Sequence, residues 1–186
     1  HTTGVKRDEV GCPAMLPPVF RYSSVSSLYI HNDSDFAAQA TQYGWPGNGS
    51  QSNPYIIKNL NITGYNSAAL FTIENVSVYF RVEDCLIHSL GGGSFVVRLL
   101  RVQHGYFEGN NFTGIGSPLV YIDALSVNNT FRYNIFEVNQ VSSGPNIYCN
   151  NASNTFTYNW WNDCESLVDI DQDGIYNEVY NITNSS

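Results

Sequence analysis

Residues 107–112 read Phe-Glu-Gly-Asn-Asn-Phe, residues 131–136 read Phe-Arg-Tyr-Asn-Ile-Phe, and residues 156–161 read Phe-Thr-Tyr-Asn-Trp-Trp. In each copy an apolar residue is followed three positions later by asparagine, and a second apolar residue comes two positions after that. The copies lie 24 and then 25 residues apart. A fixed period of this length indicates that the chain is built from stacked repeats.

The same frame continues toward the N-terminus at Val82-Cys85-Ile87 and Ile57-Leu60-Ile62, so five copies run from about residue 55 to residue 162. The repeats contain short β-prone runs and few helix formers, which argues against the longer helical repeats of α-solenoids. A period near 25 instead fits coils stacked at the roughly 4.8 Å spacing of paired strands. The sequence therefore predicts an all-β fold, a parallel β-helix of about five coils.

The repeat also predicts which residues fill the tube. We call the two apolar residues of each copy its first and second anchors. A third apolar position, nine residues before each first anchor, falls at Ile73, Ile122 and Ile147. In the remaining coil Arg98 holds this position and Leu99 follows it, so one register slip is expected. At the corner, asparagine tolerates the left-handed conformation, and its amide can bond the equivalent amide one coil away. We expect such a ladder at Asn110, Asn134 and Asn159.

The segment before the repeats divides into two parts. Residues 34–54 are predicted to be a cap and lead-in, because Ser34 to Tyr43 is typical of a short helix with Ser34 as N-cap, Phe36, Ala40 and Tyr43 on one face, and Gly44 as the stop. Residues 1–33 lack the 25-residue period. They are predicted to be an extended arm that packs along its own β-helix or adds as a strand to a neighbouring subunit.

Composition excludes two classes of partner. Only 13% of residues are charged, and 8 basic residues stand against 16 acidic ones, for a net charge of −8. Such a chain cannot present the basic surface that phosphate binding needs, so we expect no nucleic-acid partner. No apolar run approaches the roughly 18 residues of a membrane span, so no span is expected in this chain.

Three features predict a secreted, extracellular or cell-surface glycoprotein. Residue 1 is His rather than Met, which indicates that an N-terminal segment was removed or lies outside the sequence. Four cysteines are consistent with bridges in an oxidising compartment. Asn-x-Ser/Thr sequons are nine in number where roughly 3 to 4 are expected by chance, and each predicts an N-glycan. They begin at Asn32, Asn48, Asn61, Asn75, Asn111, Asn128, Asn151, Asn181 and Asn184.

Two segments that flank the repeats resemble a known group. Residues 47–57 read Gly-Asn-Gly-Ser-Gln-Ser-Asn-Pro-Tyr-Ile-Ile, and residues 158–163 read Tyr-Asn-Trp-Trp-Asn-Asp before the Asp-Ile-Asp-Gln-Asp-Gly-Ile run of 169–175. This is similar to the lead-in and ending of NosD-like right-handed parallel β-helix proteins, which are common on archaeal surfaces. The group includes copper-site maturation proteins, carbohydrate epimerases and lyases, and surface proteins, so the resemblance implies a fold rather than one activity.

The tail, residues 163–186, contains a candidate calcium loop. Carboxylates on alternate residues of a tight loop converge on one point, and hard oxygen ligands in that arrangement suit Ca²⁺. The pattern resembles calcium loops of the EF-hand, dockerin and thrombospondin type, although Tyr180 holds the position of the usual bidentate glutamate. A solvated acidic loop is the alternative. The predicted ligands are Asp169, Asp171, Asp173, the Ile175 carbonyl, Asn177 and Glu178.

Catalytic residues are harder to find. Glu83, Glu108 and Arg132 each follow an anchor residue by one position, so the frame places them in one outward column. Paired acids with a base on neighbouring coils are typical of β-helix lyases and hydrolases, but a solvated strand face with cross-coil ion pairs explains the same column and is the favoured interpretation. The prediction is that the chain is not an enzyme.

The four cysteines allow three pairings. Cys85 and Cys164 are about three coils apart, beyond the roughly 7 Å Cα separation that a disulfide spans. Because Cys149 and Cys164 bracket the final coil, we expect them to pair and Cys12 to bond Cys85.

Unprotected strand edges at the ends of a β-helix promote polymerisation. The favoured function is therefore a structural subunit of an extracellular, glycosylated, calcium-stabilised filament or surface layer, a homopolymer held by strand addition and end-to-end packing. The alternatives are a polysaccharide-binding or polysaccharide-cleaving module with a Tyr- and Trp-bearing face as its sugar platform, and a monomeric cell-surface adhesion domain.

Overall fold

A computed structural model describes residues 22–65, 69–92, 95–115, 118–139, 147–151 and 153–161. Over these residues the chain forms a parallel β-solenoid of about four turns, with one short helix, which confirms the predicted fold class. The expected coil number of about five is slightly too high.

Sixteen described strands form three parallel sheets, and each turn contributes one strand to each sheet. The first sheet contains β1 (Ser23–Val25), β4 (Leu60–Gly64), β7 (Leu86–Gly92), β10 (Asn111–Ile115), β13 (Ile135–Val138) and β16 (Trp160–Trp161). The second contains β2 (Leu28–Ile30), β5 (Ala69–Val76), β8 (Phe95–Val102), β11 (Val120–Ile122) and β14 (Ile147–Cys149). The third contains β3 (Tyr55–Lys58), β6 (Phe80–Glu83), β9 (Gly105–Glu108), β12 (Thr130–Arg132) and β15 (Thr155–Thr157).

The predicted register of two sheets is confirmed. In the third sheet Ile57, Val82, Phe107, Phe131 and Phe156 are paired neighbours from coil to coil. The second anchor of the repeat behaves in the same way in the first sheet, from Ile62 to Trp161. Because strand side chains alternate between faces, this register turns every anchor into the tube.

Aromatic rings fill much of that tube. The ring of Phe131 stacks on that of Phe107 with centroids 4.3 Å apart, and Phe136 stacks on Trp161 at the same centroid distance. Such pairs add about 0.5–1.5 kcal/mol each beyond the area they bury.

The second sheet departs from the predicted register in its last coil. Ile73 pairs with Leu99 and Leu99 with Ile122, as the expected slip at Arg98 requires. Ile147, however, pairs with Val120, while Cys149 pairs with Ile122. The prediction for Ile147 is therefore wrong by two residues. A shift of two keeps the same side chains on the buried face, so the core tolerates it.

The predicted asparagine ladder is confirmed. The Nδ2 group of Asn110 donates to Oδ1 of Asn134, and Nδ2 of Asn134 donates to Oδ1 of Asn159, both at 3.0 Å. The left-handed conformation lies one position earlier than expected, because Gly109, Tyr133 and Tyr158 have φ values of 67°, 53° and 54°. The corner residue turns the chain, and the asparagine that follows anchors it to the neighbouring coil.

A second ladder was missed from the sequence. Asn129 donates through Nδ2 to Oδ1 of Asn154 at 3.0 Å, and its own Oδ1 accepts the backbone N–H of Gly105 at 2.9 Å. Both asparagines are buried. This ladder supports the corner between the second and third sheets, as the predicted ladder supports the corner between the third and first.

The N-terminal part of the described chain belongs to the solenoid. β1 pairs with β4, and β2 pairs with β5. Residues 23–30, which the sequence placed in the extended arm, thus form the first coil. Residues 1–21 and 162–186 lie outside the described residues, as do 66–68, 93–94, 116–117, 140–146 and 152.

One helix, α1 (Asp33–Tyr43), interrupts the first coil. Its N-cap is Asn32 rather than the predicted Ser34, because the Asn32 side chain accepts the backbone N–H of Asp35 at 2.9 Å. Gly44 ends the helix at φ 69°, as expected. Phe36 and Ala40 are buried, whereas Tyr43 stays half exposed. No helix among the described residues is long and apolar enough to cross a membrane.

Candidate functional site

A groove of about 620 Å³ opens on the outer surface of the third sheet, where the chain enters β6, β9 and β12. This volume lies within the range of small-molecule sites. Its walls come from three successive coils and from the lead-in to β3. The lining residues are Gln51, Ser52, Pro54, Tyr79, Phe80, Arg81, His104, Gly105, Tyr106, Asn128 and Thr130.

One wall of the groove is a column of side chains that repeats coil by coil. Tyr79 and His104 precede the paired residues Phe80 and Gly105, and their rings stack with centroids 4.3 Å apart and planes 10° apart. The bridge between Gln103 and Val127 places Asn128 at the equivalent position of the next coil. One face of the His104 ring is therefore covered by Tyr79, and the other is directed toward Asn128.

The local sequence explains how the column is placed at the corner of the coils. His104 and Asn128 have φ values of 61° and 58°, so both sit in the left-handed region at the corner of their coil. Gly105 follows His104, and a Cβ there would lie 2.5 Å from Cζ of Phe80. Only glycine allows the core ring to approach the groove floor this closely.

Arg81 forms the charged side of the groove. It lies over the ring of Tyr106, with Cζ 5.0 Å from the ring centroid, in the geometry of a cation–π contact. Its guanidinium also contacts Oε1 of Glu83 at 2.8 Å and Oε2 of Glu108 at 2.9 Å. One aromatic ring therefore orients the Arg81 guanidinium, and two carboxylates offset its positive charge.

The predicted column of Glu83, Glu108 and Arg132 exists, because the three residues pair from coil to coil beside this groove. Lys58 extends it by one coil, with its Nζ 3.5 Å from Glu83 and 3.2 Å from Asp84. The Asp84 carboxylate raises the pKa of Lys58. These contacts are cross-coil ion pairs, as expected if the column is a solvated strand face.

Arg132 differs from the other cations of this face. No carboxylate among the described residues forms an ion pair with it; its Nη2 donates to the Tyr133 hydroxyl at 2.7 Å. The guanidinium lies over the rings of Tyr133 and Tyr158, at 4.4 and 5.3 Å, and these rings stack on each other. The sequence placed Arg132 in the column but did not predict this aromatic support.

The groove and the adjacent Arg132 cluster share one chemistry. Flat aromatic faces pack against the C–H face of a pyranose ring, while arginine, amide and hydroxyl groups bond its hydroxyls. A small number of oriented polar groups among aromatic rings is the usual composition of a ligand site. The arrangement is suited to binding a sugar chain across several coils.

The described sequon asparagines lie in two regions of the surface. Asn61 and Asn111 project outward from β4 and β10 of the first sheet. Asn32, Asn75, Asn128 and Asn151 lie where the chain passes from the second sheet toward the third, and Asn48 lies in the lead-in to β3. Asn181 and Asn184 lie outside the described residues. Glycosylation at all nine positions remains a prediction.

The other predicted sites are only partly within the described structure. Cys85 and Cys149 are buried free thiols there, and burial raises the pKa of Cys85 to about 11. Their predicted partners, Cys12 and Cys164, lie outside the described residues, as does the whole calcium loop from Asp169 to Glu178. Within the described part of the chain, no group of three or more His, Cys, Asp or Glu residues is arranged to hold a metal.

Comparison with known proteins found no matching family model, no similar curated protein and no similar solved structure.

Proposed function

We propose that this chain is an extracellular carbohydrate-binding β-solenoid whose binding site is the groove on the third sheet. The observation that carries the proposal is the groove itself, which combines the stacked rings of Tyr79 and His104 with the oriented guanidinium of Arg81. The excess of sequons and the similarity of the lead-in and tail to NosD-like surface proteins support the extracellular location.

The charges of the groove favour a neutral sugar chain over an anionic one. Glu83 and Glu108 both contact Arg81, so its positive charge is largely offset before any ligand binds. Recognition then depends on stacking and hydrogen bonds rather than on net attraction. The same ion pairs support binding without cleavage, because both carboxylates of the predicted column are already engaged by a cation.

Binding can be tested with unglycosylated protein on an array of neutral and anionic oligosaccharides, followed by calorimetry on the strongest ligand. His104→Asn removes the stacking ring and keeps a residue that tolerates the left-handed conformation. We expect it to weaken binding about tenfold, equivalent to about 1.4 kcal/mol. Tyr121→Ala, which removes an aromatic ring from the outer face of the second sheet, is the matched control and should leave affinity unchanged.

Absence of binding to any oligosaccharide, or equal affinity in the wild type and His104→Asn, would exclude the groove as a carbohydrate site. A preference for anionic sugars would contradict the charge argument but retain the site. Equal losses in His104→Asn and Tyr121→Ala would indicate a general effect of aromatic removal rather than a contact in the groove.

A second candidate, a filament or surface-layer subunit, is favoured by the ends of the solenoid. Among the described strands, β1, β2 and β3 have a partner on one side only, as do β14, β15 and β16. A groove of about 250 Å³ at the first coil is also lined by apolar side chains, including Leu28, Trp45 and Leu60. End-to-end packing of copies, with the calcium loop stabilising the tail, would cover such surfaces.

Electron microscopy and sedimentation of the full chain, with and without calcium, test this second function. Deletion of residues 1–21 leaves every described strand in place. If filaments form and this deletion abolishes them, an exchanged arm holds them together; if filaments persist, end packing does. A chain that stays monomeric under all these conditions is not a filament subunit.

A further inference from the structure

Asn128 lines the groove and also begins the sequon Asn128-Asn129-Thr130, so one residue belongs both to the binding site and to a predicted glycosylation site. We propose that the N-glycan of Asn128 is itself a ligand of the groove. Its first sugar units pack against the open face of His104 and compete with free oligosaccharide. This inference rests on the proposed carbohydrate-binding function and adds an intramolecular ligand to it.

The side chain of Asn128 is available for modification. It is exposed, and no hydrogen bond to the rest of the described chain holds its amide. Two other sequon asparagines at the same corner differ, because Asn75 donates through Nδ2 to the His31 carbonyl at 3.4 Å and Asn151 donates to the Ala124 carbonyl at 2.9 Å. A glycan bonded to Nδ2 of Asn128 breaks no contact of the fold.

The column geometry directs that glycan into the groove. His104 and Asn128 occupy equivalent positions on successive coils, and coils are spaced by about 4.8 Å. The first sugar, attached at the Asn128 amide, therefore starts beside the face of His104 that Tyr79 leaves uncovered. Because Asn128 itself lines the groove, the glycan's attachment site faces the cavity. Thr130, which carries the hydroxyl that the sequon requires, lines the same groove.

Attachment gives this glycan an advantage over a free sugar of the same chemistry. A ligand tethered by a short flexible linker acts at an effective concentration in the millimolar range. If the groove binds a free sugar with a Kd near 0.1 mM, a tethered competitor at about 1 mM reduces its apparent affinity roughly tenfold. A glycosylated chain is thus expected to have a closed groove, and an unglycosylated chain an open one.

The sequon at Asn111 provides a matched control. Asn111 also lies on the outer surface, but it projects from β10 in the first sheet, away from the groove. Its Oδ1 accepts the hydroxyl of Thr113 at 2.7 Å, and its Nδ2 makes no hydrogen bond within the described chain. Thr113→Ala therefore removes a surface glycan without changing the groove.

The experiment uses full-length chain secreted from a glycosylating host and the same chain from a host that does not glycosylate. Glycopeptide mass spectrometry first measures occupancy at each sequon, and calorimetry then measures affinity for the best ligand from the array. Two variants remove the Asn128 glycan in different ways: Asn128→Gly keeps a residue suited to positive φ, and Thr130→Ala keeps the asparagine. Thr113→Ala is made in parallel.

We expect Asn128 to be occupied, and the secreted wild type to bind about tenfold more weakly than its unglycosylated form. Each groove variant, compared with its own unglycosylated form, should show no such loss. Thr113→Ala should bind like the wild type. The proposal is overturned if Asn128 is bare while Asn111 is occupied, if removal of its glycan leaves affinity unchanged, or if Thr113→Ala raises affinity equally. Failure of the unglycosylated wild type to bind any sugar would instead refute the carbohydrate-binding function itself.

Discussion

Replacement of Asn134 by aspartate tests how strongly the buried ladder holds the coils together. Asn134 is 1% exposed, and its Nδ2 donates to the Phe107 carbonyl and to Oδ1 of Asn159, both at 3.0 Å. Asn134→Asp has the same shape but places an acceptor where that donor stood. Two hydrogen bonds become contacts between oxygens, and no cavity forms.

The cost follows from these contacts. Each buried hydrogen bond lost with its partner left unsatisfied costs about 1–3 kcal/mol, so the two together predict a loss of about 2–6 kcal/mol at pH 7.5. This is a large share of the 5–15 kcal/mol that typical domains have. The control Asn111→Asp changes a half-buried residue on the outer surface, and we expect it to cost under about 1 kcal/mol.

The pH dependence provides a second test of the same substitution. Burial beside two acceptors raises the folded-state pKa of the new carboxyl above its unfolded value of about 3.9. Its protonated form can donate one of the lost bonds, so the defect is smallest below about pH 3.9 and grows as pH rises through the raised folded-state pKa. Urea unfolding followed by circular dichroism at pH 5 and pH 7.5 measures both effects. A loss below about 1 kcal/mol at pH 7.5, or one that is independent of pH, would refute the ladder as a main source of coil cohesion.

Three other predictions concern the core, the thiols and the tail. Phe131→Ala removes the central ring of the aromatic stack and should destabilise the protein by about 3–5 kcal/mol, as measured by urea unfolding; a loss below about 1 kcal/mol would contradict its stacking role. Because burial raises the pKa of Cys85 to about 11, a maleimide at pH 8 should label it only after unfolding, whereas persistent protection in denaturant that is relieved by reductant would indicate the predicted bridge to Cys12. Millimolar calcium should raise the thermal midpoint of EDTA-stripped protein, and Asp171→Asn should reduce that rise; equal midpoints with and without calcium would exclude the loop as a metal site.

The coil register was predictable because it depends on one repeated pattern. Phe107, Phe131 and Phe156 mark equivalent points of successive coils, and an inward-facing position accepts only apolar side chains, so the period survives in the sequence. The second ladder left the same kind of signal, since Asn129 and Asn154 each lie two residues before an anchor. These two asparagines lie outside the six-residue pattern that marks the repeat.

The error at Ile147 has a different origin. The paired residues Ile122 and Cys149 are 27 positions apart, whereas Phe131 and Phe156 are 25 apart. The connection before β14 is therefore two residues longer than a 25-residue period allows, and the connection after β14 is two residues shorter. Paired strands impose register only within themselves, while the connections between them vary in length. Counting from one anchor therefore fails wherever a connection changes, even when the anchors on both sides are correct.

The groove could not be predicted because its residues have no common pattern. Tyr79, His104 and Asn128 become neighbours only once the register is known, and Gln51 comes from a lead-in that has no counterpart in later coils. Each is an unremarkable polar or aromatic turn residue in the sequence. The solenoid creates the site by placing the turns of successive coils one strand spacing apart.

The corners of the solenoid connect stability to surface chemistry. A bulky residue in the left-handed conformation costs roughly 1–2 kcal/mol, yet Tyr133 and Tyr158 adopt it before Asn134 and Asn159. Each asparagine offsets that cost, because its side chain bonds the backbone or amide of the neighbouring coil and fixes the turn. The same turn directs both tyrosines outward, where they stack and support Arg132. Tyr133→Gly should therefore stabilise the turn but remove one of the rings beneath Arg132. The tyrosine is better explained by its contact with Arg132 on the surface than by a contribution to the stability of the turn.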